Sequence, residues 1–368
     1  MGRRIRGRAA TAVAVLAVAA VAAVVAVVVA THRGTPGGAS PAPPGATSSV
    51  ADGSARAGGT SAPGTATIAP GDRYRGAIGV AASRGLHVWL EVDLVKRWLA
   101  GRAAFDEGVR RVAGLARAPG VVGFKVADEL GYQDGTTSAD QILAFLHDTA
   151  TALRAVAPGK RILVDMVVPE LGCLPGVTPA PVWAQAAMAQ ERGRYPQLAL
   201  DQVDRYVRSG TFDVLDVSTG LRAGSTYARW GTDRDAAQRA GWAEIRSRGW
   251  GTSVRVQSRK ALAEAEGWTG STAEAEADLR TWVDIPLQEG AAAVDVWTWA
   301  QHYRGRVFAL VATGGGSNPL WDGLVRRRTD GRVLFTHFTP STTRDDVQGD
   351  LARLATGFTD VFMATGTG

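Results

Sequence analysis

Carboxylate side chains recur within short apolar segments of this chain, each among residues that would point the same way from an extended backbone. They are Glu91, Asp93, Glu129, Asp165, Asp216 and Asp295. Two carboxylates that lie close together raise each other's affinity for a proton, so one can donate a proton while the other stays ionised. Carboxylate oxygens also suit hard cations such as Mg²⁺ or Ca²⁺. Either chemistry requires a fold that brings these segments together.

The apolar residues of 72–368 switch repeatedly between the two-residue period of strands and the spacing of helices. This pattern predicts eight strands, at 86–93, 121–129, 161–168, 212–218, 253–258, 291–299, 333–339 and 358–364. Helices are predicted at 73–83, 105–116, 139–156, 184–208, 234–248, 272–287 and 345–355. Strands that alternate with helices pair in parallel, and eight such units predict a closed (β/α)₈ TIM barrel of the α/β class. An open doubly wound sheet is the alternative, although no glycine-rich phosphate loop follows the first strand.

The order of the predicted elements is unusual for such a barrel. The domain begins with the helix at 73–83 and ends with the strand at 358–364. The glycine-rich segment 314–317 precedes a strand that looks like the usual opening strand of a barrel. We therefore expect a circularly permuted strand order, with an ordinary order and misplaced boundary helices as the alternative.

Side-chain alternation predicts which residues face the barrel interior. Apolar residues such as Val88 and Leu90 suit the helix layer, which turns their neighbours inward. The inward residues include the charged side chains Glu91, Asp93, Lys125, Glu129, Asp165, Asp216, Arg255 and Asp295. Because unpaired buried charges cost several kcal/mol each, we expect Lys125 to pair with Glu91 or Asp165, and Arg255 with Asp216 or Asp295. Glu91 and Asp295 are predicted to be structural members of these pairs.

Two segments carry a resemblance to a known family. The segment 123–130, Gly-Phe-Lys-Val-Ala-Asp-Glu-Leu, and the segment 294–299, Val-Asp-Val-Trp-Thr-Trp, resemble the clan A glycoside hydrolases, which are (β/α)₈ barrels. The resemblance implies that Glu129 is the acid/base glutamate, with Asp128 in place of the family's asparagine. It places Gln257 where the family keeps its nucleophilic glutamate.

Three mechanisms stay open, because Gln257 carries an amide where the family has a nucleophilic carboxylate. Glu129 could donate the proton while Asp93, Asp165 or Asp216 activates a water in inverting hydrolysis. Glu170, on the loop after the third strand, could take the second role. Alternatively, the protein binds a saccharide without cleaving it, as a carbohydrate-binding or assembly protein. The predicted catalytic residues are Glu129, Asp165 and Asp93, and the predicted substrate-binding residues are Asp128, Asp216, Gln257, Arg255, Trp297, Trp299 and His302.

The N-terminal part of the sequence predicts a membrane anchor. Residues 9–30 are almost all Ala, Val and Leu, long enough to cross a bilayer as a helix. The basic residues of 1–8 place the N-terminus in the cytoplasm and the barrel outside. Residues 31–71, rich in Gly, Ala, Pro, Ser and Thr, predict a disordered linker to the domain at 72–368. The alternative is a cleaved signal peptide and a secreted protein.

Charge and motifs exclude several classes of function. Arg3, Arg4, Arg6, Arg8 and Arg33 flank the apolar run, and without these five the chain has 36 basic against 35 acidic residues. A nucleic-acid partner is therefore not expected. The five histidines show no zinc-binding spacing, so no cofactor is expected, although carboxylates alone could hold a divalent cation. Cys173 is the only cysteine, which rules out an internal disulfide. The sequence does not indicate an oligomeric state.

Overall fold

The structure is a computed structural model that describes residues 70–177 and 179–365. The predicted tail at 1–8, the membrane helix at 9–30 and the linker at 31–71, apart from its last residues, lie outside this part of the chain and stay predictions. Among the described helices, none combines the length and the apolar composition that a bilayer crossing needs.

Within the described residues, ten strands form one sheet. They are β1 (His87–Glu91), β2 (Val121–Lys125), β3 (Arg161–Val167), β4 (Val214–Ser218), β5 (Arg255–Ala261), β6 (Glu264–Ala265), β7 (Val294–Tyr303), β8 (Arg306–Ala309), β9 (Leu334–Phe338) and β10 (Asp360–Ala364). All but β6 and β8 run parallel and close on themselves, because β5 pairs with β7 and β10 pairs with β1. The eight predicted strands are the eight strands of this barrel. The TIM-type fold is confirmed, and the open sheet is wrong.

Helices cover the outside of the barrel. They are α1 (Pro70–Ser83), α2 (Leu94–Leu99), α3 (Arg102–Ala116), α4 (Ala139–Val156), α5 (Val182–Arg194), α6 (Leu200–Arg208), α7 (Gly224–Arg229), α8 (Arg234–Ser247), α9 (Trp250–Ser253), α10 (Thr272–Leu279), α11 (Ile285–Gln288), α12 (Pro319–Thr329) and α13 (Val347–Gly357). The helix predicted at 184–208 is two helices, because Pro196 begins a short 3₁₀ turn between α5 and α6. The helix predicted at 272–287 is interrupted by a π-helical turn, Arg280–Asp284.

A small apolar cluster fills the lower part of the barrel, separate from the large core between strands and helices. Its buried members are Trp89, Leu163, Val214, Ala293, Phe335 and Phe362. Gly123 on β2 makes room for the largest of them, since a Cβ at this position would lie 2.5 Å from the Trp89 ring. The charged side chains lie above this apolar floor, toward the C-terminal ends of the strands.

Strand β7 departs from the predicted alternation near its C-terminal end. Its pairing with β9 shifts register between Val296 and Ala300. The shift turns Trp299 outward, where it is buried against Trp321 of α12, with ring centroids 5.3 Å apart. The prediction that Trp299 faces the barrel mouth and stacks on a ligand is therefore wrong. Beyond Ala300 the strand forms an antiparallel hairpin with β8.

Candidate functional site

Lys125 is at the centre of a charge network in the upper barrel. Its fully buried Nζ atom lies 2.7 Å from Glu91, 3.1 Å from Asp128 and 3.3 Å from Asp165. The predicted pairing of Lys125 with Glu91 or Asp165 is thus confirmed for both partners. Burial acts to raise the pKa of Glu91, but the charges of His337 and Lys125 outweigh it and lower this pKa to about 2. Glu91 is accordingly ionised across the physiological pH range.

Arg259 is a second cation of the network, and sequence reasoning missed it. Its Nη1 donates to Glu129 at 2.8 Å and its Nη2 to Asp128 at 3.1 Å. Its Nε lies 3.1 Å from Asp165 and 3.7 Å from Asp295. The predicted strand ends at 258, whereas β5 continues to Ala261. Extending the inward alternation of residues 255 and 257 by one more step would have found Arg259.

Arg255 does not make the predicted pair with Asp216 or Asp295. It lies four residues below Arg259, at the beginning of β5, with its guanidinium 5.9 Å from the Phe335 ring centroid. Its Nη2 donates to the Ala292 carbonyl at 3.3 Å. The prediction failed because the inward face of β5 carries two arginines, and the one nearer the mouth reaches the carboxylates.

His337 is a third cation, which sequence reasoning also missed. Its Nδ1 lies 3.0 Å from Glu91 and its Nε2 lies 3.0 Å from Asp295. Burial lowers the pKa of this imidazole, but Asp295 and Glu91 outweigh that effect and raise it to about 9. A doubly protonated ring donates to both carboxylates, so the predicted ion-pair role of Glu91 and Asp295 is confirmed.

Two buried acids, Asp165 and Asp216, differ from Glu91 in that their pKa values are raised. Burial raises the pKa of Asp165 to about 7, although Arg259 and Lys125 act to lower it. Asp216 on β4 is the Cα partner of Asp165 on β3, and Gln257 on β5 is in turn the Cα partner of Asp216. Asp216 and Gln257 are fully buried, and their side-chain polar atoms have no hydrogen-bond partner in the described structure. Burial, together with Asp295 and Asp165, raises the pKa of Asp216 well above its usual range.

A cavity of about 320 Å³ opens above this network at the C-terminal ends of the strands. Its lining residues are Asp128, Glu129, Ser218, Arg259, Lys260, Ala261, Trp297, Gln301 and Tyr303. This is the face on which TIM barrels hold their active sites. The backbone of Glu129 has a φ of 52°, in the left-handed region that residues other than glycine rarely adopt. This turn after β2 directs the Glu129 carboxylate toward Arg259.

The aromatic wall of the cavity contains one predicted residue. Trp297 lines the cavity, and its Nε1 donates to Gln301 at 2.7 Å. Tyr303 stands edge-on to it, with ring centroids 5.9 Å apart. His302 lies between them in sequence but is exposed on the β7–β8 hairpin and does not line the cavity, because alternate residues of a strand point to opposite faces.

Two of the acids predicted to act with Glu129 lie outside the network. Asp93 lies at the beginning of α2, where it forms an ion pair with Lys96 at 3.0 Å. Glu170 is buried and bonded to Arg192 at 2.7 Å and to the backbone N–H of Leu200 at 2.8 Å, which ties α5 to α6. Neither residue lines the cavity that contains Glu129, and their predicted roles stay predictions. In 70–177 and 179–365, no group of three or more His, Cys, Asp or Glu residues is arranged to hold a metal ion.

Comparisons with known proteins return only distant structural similarity. No family model and no curated protein matches the sequence. A putative phosphonomutase from Burkholderia cenocepacia J2315 is 15% identical with a TM-score of 0.40, covering 78% of this chain and 92% of its own. Pyruvate carboxylase from Rhizobium etli with acetyl coenzyme A is 15% identical with a TM-score of 0.38, covering 77% of this chain and 24% of its own. Its carboxyl transferase domain with pyruvate and biocytin is 15% identical with a TM-score of 0.37, covering 81% and 42%.

These findings correct the family that the sequence suggested. The similar structures are a phosphonomutase-type barrel and carboxyl transferase barrels, so the predicted membership of the glycoside hydrolases, the glycosidase activity and the carbohydrate partner are wrong. The chain spans about a quarter of the complete carboxylase and less than half of its carboxyl transferase domain. Similarity at this level does not transfer an activity. The chemistry of its own site is therefore what indicates the function of this chain.

Proposed function

We propose that the barrel mouth binds a small organic cation, whose charge Glu129 and Asp128 neutralise. The observation that carries this proposal is the unequal exposure of the charges around the cavity. The side chains of Asp128 and Glu129 are 62% and 37% exposed, whereas the Arg259 side chain is 11% exposed and Lys125 is buried. A ligand that enters the cavity therefore meets carboxylates first.

The net charge of the network favours a cation as well. Leaving aside the acids with raised pKa values, Asp165 and Asp216, the network contains four carboxylates and three cations. The carboxylates are Glu91, Asp128, Glu129 and Asp295, and the cations are Lys125, Arg259 and His337. At least one negative charge is thus left for a ligand to neutralise, and a second when Asp165 is ionised, at a site where low dielectric strengthens the attraction.

The aromatic wall suits the same ligand. Trp297 and Tyr303 line the same cavity as the acids, and tryptophan and tyrosine faces attract organic cations. The volume of about 320 Å³ lies at the lower end of the range for ligand pockets. This combination of aromatic faces with two accessible carboxylates favours an ammonium group attached to an apolar or aromatic body.

An organic anion is disfavoured by the contacts of Arg259. An anion that bound this guanidinium would have to displace Glu129 at 2.8 Å and Asp128 at 3.1 Å. The displaced carboxylates would then lie beside the anion, and like charges in a partly buried site repel strongly.

A thermal-shift experiment on the protein tests this proposal, with benzylammonium and benzoate as probes of similar shape and opposite charge. We expect benzylammonium to raise the melting temperature of the wild type and benzoate to leave it unchanged. Glu129→Gln keeps the shape of the side chain but removes its charge, so it should abolish the benzylammonium shift. Glu107→Gln, on an exposed position of α3, is the matched control and should keep the shift. A shift with benzoate alone would refute the proposal.

Two predictions about the organisation of the chain remain proposals. The circular permutation is supported by helix α1, which contacts both β1 and β10 where the barrel closes. The location of the barrel outside the cytoplasm follows from the sequence of residues 1–30 alone and is proposed on that basis.

A further inference from the structure

We propose that Asp216 is a neutral carboxylic acid in the folded protein and that it shares its proton with Asp165, as a proton reserve beneath the cavity. This inference concerns the barrel interior and does not depend on the identity of the ligand. It goes beyond the proposed function because Asp216 does not line the cavity.

The geometry separates the two acids by their partners. Both are fully buried, and they are Cα partners on the adjacent strands β3 and β4, so their side chains leave the backbone about 4.8 Å apart. Asp165 lies 3.3 Å from Lys125 and 3.1 Å from Arg259. Asp216 has no cation within 4.0 Å in the described structure, and neither acid has a hydrogen-bond partner there, so the ion pairs of Asp165 are what distinguish the two.

The energetics favour a proton on Asp216. An ionised carboxylate buried without a partner costs several kcal/mol, and such a group takes up a proton instead. The charged groups that face Asp216 are Asp165 on β3, Asp295 on β7, Arg259 on β5 and, farther away, Lys125 on β2. Both cations already contact other carboxylates, and the two acids repel a third negative charge. The remaining neighbour, Gln257, is neutral, and its amide oxygen has no donor in the described structure.

The Cα pairing of Asp216 with Asp165 gives the shared proton a route toward the cavity. Breaking the O–H bond of Asp216 and forming an O–H bond on Asp165 moves one negative charge onto Asp216 and neutralises Asp165, with no other reactant. Arg259 contacts Asp165 at 3.1 Å and Glu129 at 2.8 Å. When Asp165 is neutral, it attracts Arg259 less, and the ion pair between Arg259 and Glu129 becomes stronger. Asp216 is in this sense a positioning residue, which acts on the cavity through Asp165 and Arg259.

Infrared spectroscopy tests the inference directly. We expect the wild type at pH 8 to show a protonated-carboxyl band that Asp216→Asn removes and that Asp165→Asn shifts. Asp350→Asn is the matched control, because this buried carboxylate accepts two backbone N–H bonds, and it should leave the band in place. Asp216→Ser supplies the same difference spectrum if the asparagine variant does not fold. The absence of a protonated-carboxyl band in the wild type at pH 8 would overturn the inference.

A stability measurement gives a second, independent result. An acid whose pKa is raised by folding contributes stability below its unfolded pKa and loses it as the pH rises through the folded pKa. Asp216→Asn has no such loss, so it should be more stable than the wild type at pH 8, with a difference that shrinks toward pH 4 by up to about tenfold in the folding constant per pH unit. A stability difference between the variant and the wild type that stays constant from pH 4 to pH 8 would show that folding does not raise the proton affinity of Asp216 and would overturn the inference. Neither measurement uses a ligand, so failure here is distinguishable from failure of the proposed function.

Discussion

Lys125 illustrates how strongly the upper barrel depends on charge compensation. Its ammonium group is buried among Glu91, Asp128 and Asp165. A cation removed from such a site leaves its former partners uncompensated, which costs more than the intact pair contributes. The charges in this barrel therefore hold one another in place, and most of them are unavailable to a ligand.

Replacing Lys125 by Met should lower the free energy of unfolding by about 3–5 kcal/mol, because the buried carboxylates of Glu91 and Asp165 then each lose one of their two cations. Urea denaturation at pH 7 measures this change. The control is Lys96→Met, whose side chain is 79% exposed beside Asp93 and whose loss should cost less than about 1 kcal/mol. A cost below about 1 kcal/mol for Lys125→Met would show that the network does not stabilise the fold.

His337 should make stability depend on pH. Folding raises the pKa of this imidazole from 6.5 to about 9. A raised pKa gives stability that is fully present below pH 6.5 and is lost as the pH rises through about 9. Chemical denaturation from pH 6 to pH 10 should show a loss on the order of 1–3 kcal/mol in the wild type. His337→Gln should reduce this slope to the part that the raised pKa values of Asp165 and Asp216 contribute, and an unchanged slope would contradict the assignment of His337 as a cation.

The ion-pair partners of individual residues were the feature least predictable from the sequence. The inward row of β5 predicts an interior cation, and the interior does contain one, but the two-residue alternation does not tell Arg255 from Arg259. The role of His337 as an interior cation was not predicted, because its two carboxylate partners, Glu91 and Asp295, belong to strands far away in sequence. A single sequence reveals which way a side chain points from its strand. It does not reveal which residues of other strands meet it.

At the level of elements, periodicity predicted most of the fold. Every barrel strand was found because its apolar residues repeat with period two next to helical segments. The errors have local causes, such as the break at Pro196 between α5 and α6. The register shift in β7 is the error that matters for the site, since it sends Trp299 outward while Trp297 stays at the cavity.

The two tryptophans of β7 should therefore respond differently to mutation. Trp299→Ala should cost about 3–5 kcal/mol of stability, because Trp299 is buried against Trp321. Trp297→Ala should cost less but should weaken benzylammonium binding by about 0.5–2 kcal/mol, the range of a cation–π contact. Urea denaturation and calorimetric titration of both variants check this. A larger loss of binding in a folded Trp299→Ala variant than in Trp297→Ala would contradict the orientation of the strand.

For the whole molecule, the fold was predictable and the family was not. Closure of the barrel follows from eight repeated units, which the length and pattern of 72–368 already indicate. The segments 123–130 and 294–299 suggested glycoside hydrolases, but acids and tryptophans at strand ends are compatible with many chemistries on this fold. The identity of the ligand depends on the few groups that remain exposed once the internal ion pairs have formed, and pairing cannot be read from one sequence.

The claim that the barrel mouth accepts a small cation is tested most directly by isothermal titration calorimetry of the protein with benzylammonium and with benzoate. We predict that benzylammonium binds to one site, that rising salt weakens the binding, and that Glu129→Gln weakens it at least about tenfold, or about 1.4 kcal/mol. Tighter binding of benzoate than of benzylammonium, or equal benzylammonium binding in the wild type and Glu129→Gln, would contradict the account.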